Sequence, residues 1–218
     1  MTKTTILLTA FFLSTFNIIF AQNNMAESKN FEHEIGLNVT NLLTDLLGNN
    51  NRSDPGTYLI SYKHLRGKRA FRVGLNVNYA FKNTDNGFGQ TIKLVNQNIQ
   101  LRMGKEWRRN ITPKFQSYFG FDGLAGLLNE ESTASVTNNF IVQKDRTIIF
   151  GAGPVLGFQF AIFDGLLIGT EGSLYATYNS ISTTFETFSN FQNPPARTSN
   201  GLNIQTNLPK SLFLILKF

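Results

Sequence analysis

Cysteine is absent from the 218-residue chain. That excludes a disulfide framework, a thiolate metal site and a cysteine nucleophile. It also excludes a lipoprotein, whose lipid is attached to a cysteine following the leader. Charge is scarce: Asp, Glu, Lys and Arg make up 16% of residues, against about 25% in an ordinary soluble domain. Past the N-terminal leader, no apolar run approaches the roughly 20 residues a spanning helix needs, so a helical membrane protein is excluded. Histidine occurs only twice, at His33 and His64. Acidic residues are outnumbered, and the formal net charge is +6. The cations are scattered and form no nucleic-acid motif, so nucleic acid is not an expected partner.

Aromatic residues, by contrast, are plentiful: 13% of the chain, with 21 Phe. Mean hydropathy is nevertheless −0.13, because Asn, Gln, Ser, Thr and Gly fill the remainder. Low charge with abundant Phe describes a surface much of which need not face water.

Residues 1–21, MTKTTILLTAFFLSTFNIIFA, read as a signal peptide. Lys3 supplies a positive start, 6–20 an apolar core, and Ala21 the small residue before cleavage. A membrane anchor is the alternative, but the core is short and no basic stop-transfer segment follows. The expected mature domain is therefore 22–218.

Residues 70–82, AFRVGLNVNYAFK, set the structural class. Phe71, Val73, Leu75, Val77, Tyr79 and Phe81 share one parity; Arg72, Gly74, Asn76, Asn78, Ala80 and Lys82 share the other. Period two is the signature of a strand. The alternation recurs around Phe31–Val39, Tyr58–Tyr62, Val95–Trp107, Phe115–Phe121, Ile148–Phe160, Leu166–Tyr178 and Leu202–Phe218, giving eight expected strands, with Pro209 as a bulge or edge position. Short connections near 66–69, 109–114 and 163–165 alternate with longer polar ones near 41–56, 83–90, 129–145 and 180–199. Short turns at one end and long loops at the other are an outer-membrane pattern.

Alternation alone leaves open which face meets apolar surroundings. Four features favour lipid outside. Several runs reach ten or more residues, and about 9–11 tilted residues cross a bilayer. The polar parity is mostly amide, hydroxyl and glycine. Tyr58, Tyr79, Phe81, Trp107, Phe115 and Phe218 lie near expected strand ends, where interfacial aromatics belong. The chain closes with a strand ending in Phe218. Backbone groups in hydrocarbon must all be paired, so such strands have to close into a barrel.

Three stretches then carry a family resemblance. SLFLILKF, 211–218, resembles the C-terminal signal read by barrel-assembly machinery, with Leu214, Leu216 and Phe218 as its alternating apolar residues. MGKEWRRNITPKFQSYFGFD, 103–122, and GFQFAIFDGLLIGTEGSLYATY, 157–178, resemble the hairpins of small outer-membrane β-barrel domain proteins. The resemblance implies an all-β, eight-stranded antiparallel up-and-down transmembrane β-barrel of the Gram-negative outer membrane. It implies no reaction.

In a barrel this narrow, side chains fill the interior. Parity points Glu32, Glu34, Arg72, Lys82, Arg102, Glu106, Asp122, Glu171 and Lys217 inward, as a mixed-sign network that either lines a polar path or plugs the bore. Ser61 and His64 have opposite parity, and His33 opposes Glu32 and Glu34, so no nucleophile meets a base. Arg66, Lys68, Arg69, Arg108, Arg109 and Lys114 gather in two short turns, as ordinary solvated charge or as contacts to anionic headgroups or a periplasmic partner. The glycines at 151, 153, 157, 165, 169 and 172 recur at strand spacing and make no phosphate loop. The Pro-containing tract 188–199 reads as an exposed loop.

The expected function is a non-enzymatic integral outer-membrane protein with a structural or loop-mediated binding role. A small-solute transport barrel and a lipid-modifying enzyme are the alternatives; a soluble secreted barrel is a further one. No catalytic, cofactor or metal residues are expected. Partners are outer-membrane lipids and, during insertion, the assembly machinery. The chain is expected as a monomer.

Overall fold

The computed structural model describes residues 32–40, 58–85, 90–136, 139–187, 194–209 and 211–218. The leader, Phe31 and the 41–57 connection lie outside them. Nine strands follow in chain order: β1 (His33–Asn38), β2 (Ile60–Arg66), β3 (Arg69–Asp85), β4 (Gln90–Asn110), β5 (Phe115–Val136), β6 (Asn139–Phe163), β7 (Leu166–Thr187), β8 (Arg197–Asn207) and β9 (Phe213–Lys217).

All pairings are antiparallel, each strand with its sequence neighbour up to β7, and both β8 and β9 lie against β7. β9 also pairs with β1, which closes the sheet. The ring therefore has eight members, its last one split into β8 and β9. The split surrounds Pro209, which has no N–H to give a ladder. Between Ser173 and Gly169 on β7, the partner residues run from Asn207 to Phe213, two more than an even ladder would use.

Following the register from Gly36 through Ser61, Gly74, Arg102, Leu124, Gly151 and Thr177 reaches Asn203, twelve residues short of Ile215, the residue Gly36 itself pairs with. Such a stagger tilts the strands of a closed barrel. The short turns suit their sequences. Gly67 and Gly165 take positive φ, 61° and 89°, in two-residue hairpin connections where other residues would be strained. The β4–β5 turn is fixed by Phe115 N–H donating to Thr112 Oγ1 at 3.0 Å.

The apolar parity faces outward. One row runs Ile60, Leu75, Leu101, Ala125, Phe150, Tyr178, Leu202 across seven strands. Its large members are exposed, from 39% for Leu101 to 82% for Leu202. A soluble monomer rarely presents apolar surface this continuous. The other parity points into the ring and is largely polar. A small apolar cluster of Tyr58, Leu167, Phe213 and Ile215 lies inside where β9 closes against β7 and β1.

Three expected loops prove to be strand over most of their described residues. Residues 83–85 and 90, 129–136 and 139–145, and 180–187 and 197–199 are all paired in strands, and 86–89, 137–138 and 188–193 lie outside the described residues. Thr, Ser, Asn and Gln there show no apolar alternation, since neither face needs burial. Backbone pairing continues regardless, because each strand already has a neighbour.

Candidate functional site

The interior of the ring is built by one repeated event: each strand delivers its inward residue at the same height as its neighbour's. Glu34 pairs with Lys63, Lys63 with Arg72, Arg72 with Gly104, and Gly104 with Asp122. Glu106 and Arg108 follow on the same face of β4, and Glu171 and Tyr175 arrive from β7. Four buried carboxylates, Glu34, Glu106, Asp122 and Glu171, meet four buried cations, Lys63, Arg72, Arg102 and Arg108.

Arg72 is the hub. Its guanidinium reaches Glu171 Oε1 at 2.7 Å, Glu106 Oε2 at 3.3 Å and Asp122 Oδ1 at 3.3 Å. β3 and β7 stand four places apart in a ring of eight, so the Arg72–Glu171 bond spans the bore. Arg108 holds Glu34 with two parallel bonds, 2.7 and 2.6 Å, and donates from Nε to Glu106 Oε1 at 2.6 Å. This forked geometry suits guanidinium on carboxylate. Lys63 lies 2.9 Å from Glu106 Oε2 and 4.0 Å from the centre of the Tyr118 ring. Lys217, part-exposed at the open end, adds a 3.3 Å contact to Glu34.

Tyrosines complete the lattice. Tyr118 and Tyr58 donate to Glu171 Oε2 at 2.8 and 3.1 Å. Tyr175 donates to Asp122 Oδ2 at 3.1 Å and accepts from Arg102 Nη1 at 3.2 Å. Room for the rings comes from glycine: a Cβ at Gly157 would overlap the Tyr118 ring. A single missing partner here would leave a buried charge uncompensated, the costliest defect an interior can carry.

Of the residues the parity pointed inward, Glu34, Arg72, Arg102, Glu106, Asp122 and Glu171 are buried in this lattice. Glu32 is not: it is exposed just ahead of β1, although its carbonyl accepts from Leu65 N–H on β2 at 2.6 Å. Lys82 keeps its parity but lies exposed in the far half of β3. Tyr58 is only 2% exposed. It is an inward residue and not an interfacial one, because the alternation slips between Tyr58 and Ile60. Arg108 does not belong to the turn cations; it shares the parity of Arg102 and Glu106, and that signal would have placed it. Lys63, Tyr118 and Tyr175 went unassigned, though all three lie on the non-apolar parity of their strands, Tyr175 on that of Glu171.

His33 and His64 are on the outer side, their ring centres 5.1 Å apart, and His33 Nδ1 lies 2.8 Å from the Tyr62 hydroxyl. Ser61 is buried inside, so it does not meet His64. Leu214 and Leu216 face outward, and Phe218 stacks on His33 at 5.5 Å while exchanging two 3.0 Å backbone bonds with it. Among the described residues no His, Asp and Glu group could hold a metal ion.

Beyond the ring's charged layer, β3–β8 run on as a polar extension. Strands of 21–25 residues, β4 to β7, are far longer than a bilayer crossing requires. Asn96 donates to Glu130 at 2.6 Å, Gln143 to Asp145 at 2.8 Å, and Lys144 pairs with Glu186 at 2.8 Å. A groove of about 470 Å³ there is lined by Gln97, Asn129, Lys144, Arg146, Ser182 and Thr184, among others.

Fold and interior together define an eight-stranded antiparallel up-and-down β-barrel with an apolar exterior and an ion-paired core. No family model matches the chain, and no curated protein does. Among solved structures, CarO of Acinetobacter baumannii is similar at 12% identity and a TM-score of 0.32, covering 85% of this chain and 96% of that one. A likeness that distant carries no functional argument.

Proposed function

We propose that this chain is an integral outer-membrane barrel without enzymatic activity, its bore closed by the Arg72-centred lattice and its binding surface carried by the polar extension. The observation that carries the reading is the inversion of polarity: Phe, Leu, Val and Ile face out around the whole ring, while four carboxylates and four cations sit inside it. Hydrocarbon tails are the solvent that suits such an exterior, and a closed ring leaves the strands without edges there. The expected N-terminal leader supplies export, and the antiparallel pairing of β9 with β1 gives the terminal strand its place in closure.

A closed bore is favoured over a transport path because the ion pairs bridge opposite walls. A lipid-modifying role is disfavoured because, among the described residues, the serine nearest in sequence to the histidines, Ser61, is buried inside while His33 and His64 lie on the outer side. The extension, with its grooves and hydrogen-bonding side chains, is the part able to meet an extracellular ligand.

Expression in a Gram-negative host tests the reading. The protein is expected in the outer-membrane fraction, with a gel mobility that changes on heating as a closed barrel unfolds, and with no single-channel conductance in planar bilayers. Recovery as a dissolved periplasmic protein would overturn the membrane assignment; steady conductance would overturn the closed bore.

A further inference from the structure

The short-turn end of the barrel carries a predominantly basic patch. Arg69 on β3 pairs in register with Trp107 on β4, which brings the β2–β3 and β4–β5 turns side by side. Arg66, Lys68, Arg69, Lys105, Arg109 and Lys114 are all exposed there. None of the six makes an ion pair among the described residues, whereas Arg108, between them in sequence, is turned inward and neutralised by Glu34 and Glu106. Two carboxylates border the patch: Glu32, whose carbonyl accepts from Leu65 N–H at 2.6 Å, and Asp164 in the β6–β7 turn, next to the β4–β5 turn through the 2.8 Å bond from Ala161 N–H to the Lys114 carbonyl; neither forms an ion pair with the six cations among the described residues. The cations also interleave with exposed rings: Lys105 stands between Phe71 and Phe121 in register, and Trp107 stacks on Phe119 at 6.4 Å.

We infer that this patch is a docking site for anionic phospholipid of the adjoining leaflet. Long basic side chains lay their stems on apolar surface and hold their charge at headgroup height. A phosphate there meets unpaired guanidinium and ammonium donors, and its acyl chains meet Phe71, Phe121 and Trp107. The attraction to anionic lipid is around fivefold in affinity for each well-placed cation near the surface. The inference rests on the membrane reading above, and one experiment separates the two.

Trp107 is the chain's single tryptophan, so its fluorescence reports this rim alone. The full chain is refolded into vesicles containing brominated phosphatidylcholine or brominated phosphatidylglycerol as quencher. The anionic lipid is expected to quench as if enriched at least about fivefold beside Trp107. R69Q/K105Q/R109Q is expected to bring the two lipids close to parity, and R109Q alone to lower the preference part-way should the triple variant fail to refold. K144Q, on the extension, is expected to leave the preference unchanged. Equal quenching by both lipids in the native protein would overturn the inference while leaving the membrane reading intact. Quenching by neither would overturn the membrane reading itself. No lipid preference, together with binding of an acidic polypeptide such as polyglutamate, would assign the patch to a protein partner and overturn the lipid proposal.

Discussion

The ring and its extension are built from the same strands, in one continuous antiparallel register, yet they are held together differently. In the ring, the inward charges are buried and held in a shared network, with Arg72 serving three carboxylates and Glu106 meeting three cations. In the extension, most side chains are polar and exposed or part-exposed, with Ile92, Leu94, Ile141 and Ile181 among the apolar exceptions, and its ion pair, Lys144–Glu186, has side chains 44% and 47% exposed. The backbone ladder therefore accounts for the continuity of the strands, and the side chains account for where the structure is intolerant of change. A ladder needs only a paired neighbour. A buried charge needs a specific partner at a specific height.

The most direct way to break that contrast is to remove the hub. Arg72→Met leaves Glu106, Asp122 and Glu171 facing one another without their shared cation and is expected to destabilise the barrel by about 3–5 kcal/mol. The measurement is the urea midpoint for loss of the compact, heat-modifiable form. An unchanged midpoint would mean the lattice is ornamental to stability.

A smaller effect is expected from adding one methyl in each region. At Gly153, a Cβ would overlap the backbone carbonyl of Leu174, which has no rotamer to escape into. Gly153→Ala should cost about 1–3 kcal/mol. At Gly201 on β8 nothing lies within 4 Å of the added carbon, and Gly201→Ala should stay within about 0.5 kcal/mol of the native protein. Equal responses at the two sites would erase the distinction between a crowded ring and an open extension.

The smallest effect belongs to Lys144→Gln. Its 2.8 Å pair with Glu186 is solvated, and exposed pairs of this kind contribute little. No measurable shift of the unfolding midpoint is expected, and a shift comparable to that of Arg72→Met would show the extension to be as tightly coupled as the ring.

Much of this was legible in the residues themselves. The parity of AFRVGLNVNYAFK placed Phe71, Leu75 and Phe81 on one face and Arg72 on the other, and the same reasoning carried Glu34, Arg102, Glu106, Asp122 and Glu171 to the interior. It failed where a strand's limits or phase mattered. Glu32 has the right parity but lies past the end of its strand. Tyr58 falls on the wrong side of a slip in alternation. The polar strands of the extension were expected as loops, because Ser, Thr and Asn look alike in a turn and in a strand wetted on both faces.

Periodicity is a local property, so the chain alone settled the strand class, the number of ring members and the sign of each face. Which carboxylate meets which cation is not local: Arg72 and Glu171 lie 99 positions apart and meet because closure of β9 on β1, with its stagger, sets opposite walls at matching heights. The same closure split the last ring member around Pro209. Those pairings depend on how far each strand slides against the next, and that displacement is decided only when the ring shuts.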